Sequence, residues 1–242
     1  MKFTNAYTSL ANGSASHDQL WEIIMSVREG SGIEELRVLF HSESPPVIAS
    51  LGYIAYEAGS AMQPLRNEVA SLLGFSCPQV RSDAVICLAK CVSHEDRSIL
   101  GGMMACLVDE DEFVHRSILS FVASQTAGLS KLIVALEEVC EIRSEPAFPY
   151  ILDQLKQVRN QCSIPEIVGL LLKNDDPLVQ RFGVGLACRA TLIVDLNLLD
   201  MAGKCKDDSG RDYARIRRDL PVLGSATNAR ISEYSARRRR ES

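Results

Sequence analysis

Asp109, Glu110, Asp111 and Glu112 form a run of four carboxylates directly before the apolar pattern "FVHRSILSFVAS". Such a run can bind a cation, share a proton between neighbours, or meet a basic partner. It lacks the alternate-position ligands and central glycine of a calcium loop. Helix capping accounts for some of these acids, but four exceed what capping needs. A second constellation is Cys87, Cys91 and His94. The two thiols share a helix face, but His94 falls past the helix end, which leaves the set short of the four ligands of a structural zinc site. Both cysteines also sit among Val85, Leu88 and Val92, the setting of buried reduced thiols. No nucleophile elbow, glycine-rich phosphate loop or HExxH motif occurs. His17, His41, His94 and His115 each lack a neighbouring base–nucleophile partner. The expectation is therefore no enzyme, no metal and no cofactor.

The elements that must position these residues repeat. "GFSCPQVRSDAVICLAKCV" and "LKNDDPLVQRFGVGLACRA" share with the 107–124 stretch a polar turn, a valine, polar residues and an apolar stripe. Val47, Val80, Val114, Phe148 and Val179 occupy one slot, at steps of 33, 34, 34 and 31 residues. A period in this range is the signature of a solenoid whose units bury their apolar faces only by stacking. Helices are predicted near 17–29, 33–42, 46–58, 62–73, 78–91, 95–108, 111–125, 129–141, 146–159, 164–173 and 177–192. In the first of these, Leu20, Trp21, Ile24 and Val27 take helical spacing. Pro46, Pro78, Pro146, Pro165 and Pro177 fall at predicted helix starts, where a missing N–H costs nothing. Ala84 and Gly183 are expected at close helix approaches. The fold class read here is all-α, a right-handed superhelical solenoid of about five to six antiparallel helix pairs. Its parts are a loose segment over 1–15, one domain over 16–208, and a C-terminal helix or cap over 209–242 with an Arg-rich tail.

The chain of 242 residues is 46% hydrophobic, enough for a sizeable core. It holds no apolar run of about 18 residues of the kind that spans a membrane. Its start lacks a signal-peptide core, and its eight cysteines include no CxxC pair, so a reduced, cytoplasmic setting is expected. Residues 1–200 hold 15 Lys and Arg against 25 Asp and Glu, whereas 201–242 hold 11 against 6. An acidic body suits a basic protein and repels a phosphate backbone.

The motif "P-x-V-R-x-x-A", seen as Pro78, Val80, Arg81 and Ala84, resembles that of HEAT repeats. Looser copies are Pro177, Val179, Arg181 and Gly183, and Val114, His115, Arg116 and Ile118. The resemblance covers roughly 45–192. It implies a protein-binding scaffold, and among such solenoids are toxin-neutralising immunity proteins. The expected function is then an immunity protein that neutralises a basic protein such as a secreted bacterial nuclease toxin. The alternatives are a general scaffold or adaptor and a HEAT-like nucleic-acid-binding or repair protein. Partner contact is expected at Asp109, Glu110, Asp111 and Glu112, at Asp175 and Asp176 on an equivalent edge, at Glu137 and Glu138, and at Tyr53 and Tyr56 as aromatic anchors. Reversing all four charges of 109–112 is expected to slow association and leave folding intact.

Overall fold

Proline placement and side-chain caps start the helices. Pro45, Pro78 and Pro177 open α4 (Pro45–Ala58), α6 (Pro78–Cys91) and α12 (Pro177–Ala187), and Pro165 is the second residue of α11 (Ile164–Lys173). Their missing N–H groups would have had no partner within the helix. Asp111 caps α8 (Glu112–Ser124), and Asp176 caps α12. Ser16 and Gln19 form a capping box for α2 (His17–Arg28). The computed structural model describes residues 3–125, 129–158, 162–189 and 196–219. Among them every regular element is helical. The remaining helices are α1 (Phe3–Ala11), α3 (Ile33–Leu39), α5 (Arg66–Ser71), α7 (Arg97–Ala105), α9 (Ser130–Ile142), α10 (Ala147–Gln157), α13 (Leu196–Ala202) and α14 (Asp208–Asp219). No helix among the described residues is long and apolar enough to cross a membrane.

The helices stack in a solenoid-like arrangement. One layer runs α2, α4, α6, α8, α12 and α14, and a second runs α5, α7, α9 and α10. Val47, Val80, Val114 and Val179, the repeated slot, are all buried in the shared core. So are Phe121, Phe148 and Phe182.

Four expectations change. Residues 3–11 are not loose: they form α1, and Ala6 and Leu10 enter the core. The predicted helix over 62–73 is a 3₁₀ segment, Gly59–Leu65, followed by the short α5, because Pro64 cannot donate to an α-helical ladder. Trp21 does not join the core; α2 turns Ile23, Ile24 and Val27 inward. Finally, α10 does not continue the first layer. It packs on α9, and α12 takes the place beside α8. Glycines permit this insertion. A Cβ at Gly183 would lie 2.9 Å from Leu171 of α11, and one at Gly185 would lie 2.8 Å from Val122 of α8. The approach expected at Gly183 is thus present, and Ala84 is fully buried. The tail Arg237–Arg240 lies outside the described residues.

Candidate functional site

The acids around 109 lie where one repeat is joined to the next, and their geometry is shared by several linkers. The residue after the valine slot carries Arg81, His115 and Gln180 in three units. Each reaches the carbonyl six residues back: Arg81 Nη1 donates to Phe75 O at 2.8 Å, Gln180 Nε2 donates to Asn174 O at 2.5 Å, and His115 Nε2 contacts Asp109 O. Each also reaches forward along the layer. Arg81 grips Asp109 with two bonds of 2.7 Å. His115 Nδ1 is 3.1 Å from Ser209 Oγ, and Gln180 Oε1 accepts from Lys206 N at 2.6 Å. In these three units one side chain thus closes its own linker and reaches a later element, Arg81 and Gln180 the next linker and His115 the start of α14. Buried carbonyls of an irregular linker need such partners.

The acids divide by role in consequence. Asp109 is nearly buried, and burial alone would raise its pKa, but Arg81 and the Asp111 N–H outweigh that and hold it below the usual range. Asp111 accepts from Phe113 N and Val114 N at 2.9 and 3.4 Å. Asp176 accepts from Leu178 N and Val179 N at 2.8 and 3.4 Å. The turns match further, since Asn174 accepts from Asp176 N at 2.9 Å as Asp109 does from Asp111 N. Glu110 and Glu112 face solvent, Glu112 with Arg116 at 3.6 Å. Asp175 is exposed and meets Lys206 at 2.5 Å.

The other candidates lie elsewhere. Glu137 and Glu138 are on α9 in the second layer, beside Arg97 and, for Glu137, Lys156. The Glu138 stem lies over Gly101, where a Cβ would come within 2.5 Å of its Cγ. Tyr53 and Tyr56 are half-buried on α4. Tyr53 neighbours His17 of α2 at 6.1 Å between ring centres. The structure therefore brings together the 107–115 and 174–181 turns through α8 and α12, and places the tyrosines and the α9 acids apart from them.

At the α8–α12–α14 junction His115, Arg181, Asp207 and Ser209 converge. Arg181 donates to Asp207 Oδ1 at 2.6 and 3.1 Å, to Leu107 O, and approaches His115 Nε2 at 2.7 Å. Burial first, then the Arg181 guanidinium, lowers the His115 pKa, so the ring is neutral at pH 7. With Nε2–H it donates to Asp109 O; with Nδ1–H it donates to Ser209 and accepts from Arg181. The Ser209–His115 contact has the atoms of a nucleophile–base pair, but the ring is buried and its other nitrogen is already engaged by Asp109 O and Arg181. The groove of about 250 Å³ along Asn67, Ala70, Leu73, Ser98, Ile99 and Gly102 is elsewhere and has no titratable lining.

Cys87 and Cys91 lie 3.9 Å apart, and both thiols donate to Gly59 O. Burial holds Cys106 and Cys188 up to about 12, far from a reactive thiolate. Among the described residues no group of three or more His, Cys, Asp or Glu is placed to hold a metal ion.

Two features escaped sequence reasoning. The carbonyl contacts at a spacing of six use three different residue types, so no motif announces them. The exposed stripe of α2 was legible in principle: Asp18, Trp21, Glu22, Met25 and Glu29 share one face, opposite Ile23, Ile24 and Val27. No protein-family model matches this chain, and no curated protein sequence matches it.

Proposed function

We propose that the chain is a protein-binding module of HEAT-like architecture, a right-handed stack of five to six helix pairs, whose partner is a basic protein. The observation that carries this is the charge left over at the amino-terminal end of the stack. Asp18, Glu22, Glu29, Glu35 and Glu43 are exposed, and none forms an ion pair among the described residues. The arginines there are engaged internally: Arg28 with the Glu57 carbonyl, Arg37 with Glu34 and Glu68, and Arg66 with Asp96. Uncompensated surface acid steers basic partners and repels phosphate backbones.

The finer form of the reading is an immunity protein that covers a basic toxin, with a nuclease as the fitting target class. A large acidic face against a basic nucleic-acid cleft gives fast association and blocks substrate in one step. Among the linker acids Glu110 adds to the uncompensated charge, since Glu112 and Asp175 pair with Arg116 and Lys206 and Asp109, Asp111 and Asp176 are occupied in holding the turns.

The test is affinity capture from the native cells at low and moderate salt, with proteins read by mass spectrometry and nucleic acid assayed in parallel. A single stoichiometric basic protein supports the reading, and its toxicity when expressed alone separates inhibitor from adaptor. Nucleic acid recovered with no protein partner overturns it.

A further inference from the structure

The outer face of α2 carries two large apolar side chains among its acids. Trp21 is 37% exposed and Met25, one turn on, is 48% exposed. The stripe continues across to α4 through His17, whose ring lies 6.3 Å from Trp21 and 6.1 Å from Tyr53. Asp18, Glu22 and Glu29 border it, all exposed. Scattered exposed apolar residues need no explanation, but an aromatic–thioether pair at helical spacing, bordered by acids that form no ion pair among the described residues, is an ordered combination. The Trp21 ring already shows what it attracts: the Arg28 guanidinium lies over it, 5.7 Å from the ring centre. Arg28 leaves the rim itself unneutralised: Asp18, Glu22 and Glu29 form no ion pair among the described residues, so the rim is open to a cation from outside.

We propose that this face of α2 docks a basic amphipathic helix of the partner protein, with an apolar side chain against Trp21 and Met25 and lysines or arginines against Asp18, Glu22 and Glu29. This rests on the basic-partner reading above and names its contact surface. Two partnering forces act together here. Apolar contact with Trp21 and Met25 supplies the anchor, as aromatic residues do at interface hot spots. The rim charges set approach and reject acidic helices.

Trp21 is the single tryptophan of the chain, so its emission reports this face alone. The experiment titrates the full chain with a fluorescently labelled leucine–lysine amphipathic helical peptide, read by label anisotropy and by Trp21 emission. A leucine–glutamate helix and a lysine–glycine peptide of equal charge serve as controls. The expected result is saturable binding of the leucine–lysine helix with a blue shift of Trp21, and no shift with either control. Asp18→Lys/Glu22→Lys and, separately, Met25→Ser should each weaken binding about tenfold, the scale of losing a hot-spot contact. Both sets of residues are exposed, so circular dichroism should show an unchanged fold. Binding seen by anisotropy with Trp21 unmoved overturns the α2 site and leaves a basic-partner reading standing. No binding of either basic peptide counts against both. Equal binding of the leucine–glutamate helix, or a Trp21 shift that tracks protein concentration and self-association, overturns the proposal in favour of a purely apolar contact or a second copy of the chain.

Discussion

Placing α12 directly beside α8 makes two glycine substitutions diverge. In α11, a Cβ at Gly169 would meet nothing within 4 Å. In α12, a Cβ at Gly185 would lie 2.8 and 2.9 Å from Val122 Cγ1 and Cβ and 3.2 Å from Leu119 Cδ2. Both positions are helical, so alanine brings the same intrinsic gain of about 1 kcal/mol over glycine. At Gly169 nothing opposes that gain, and Gly169→Ala should stabilise by up to about 1 kcal/mol. At Gly185 the methyl group overpacks a fully buried contact, at a cost of about 1–3 kcal/mol. The net for Gly185→Ala is a loss of about 1 kcal/mol, leaving the two variants about 2 kcal/mol apart. For a chain of this size that is about 4–8 °C in Tm. The assay is thermal unfolding followed by helical ellipticity, with urea midpoints as a second measure. Should Gly185→Ala prove as stable as Gly169→Ala, α12 does not lie against α8, and the helix order described above is wrong.

The linkers supply further predictions. Asp111→Ala removes the α8 cap and should cost about 1 kcal/mol in urea unfolding, whereas Glu110→Ala should be nearly silent. Reversing all four acids of 109–112 should therefore destabilise the fold as well as slow association, contrary to the expectation from sequence; Glu110→Lys/Glu112→Lys alone should spare the Tm. His115 has a folded pKa below its unfolded value, so the unfolded chain binds more protons as pH falls below about 6.5, and stability drops through that window. His115→Gln, which adopts the residue used at Gln180, should match the wild-type Tm at pH 7.5 and lose less between pH 6.5 and 5. An identical pH profile in the two proteins would show that His115 is not the responsive group.

The period and prolines made the layers of α4, α6 and α8 readable, because one valine slot, Val47, Val80 and Val114, stays buried at each step. The same arithmetic misplaced the helix at Phe148. Phe148 is buried and correctly spaced, yet its helix joins the second layer, since burial and spacing do not say which neighbour covers a face. Gly183 and Gly185 held that information: two glycines on opposite sides of one short helix mark a helix enclosed on both sides. At the candidate site, capping by Asp111 and Asp176 followed from their position before a helix. The capture of Asp109 by Arg81 did not, because the pair is joined only by stacking. Trp21 shares helical spacing with Ile24 and Val27, but spacing alone does not choose the face; the more continuous apolar pattern of Ile23, Ile24 and Val27 defines the inward one.

The displaced position of α10 has a consequence for how the chain comes together during synthesis. In a strictly serial stack each new unit covers the one just made. Here the flank of α8 that carries Leu119 and Val122 waits until Gly185 has been added, with α9, α10 and α11 all made in between. A nascent chain that ends before α12 therefore carries an unsealed apolar edge in its middle. The stack closes by a late insertion that sets α12 into place between α8 and α11, a long-range contact of the kind that slows folding and exposes intermediates to aggregation.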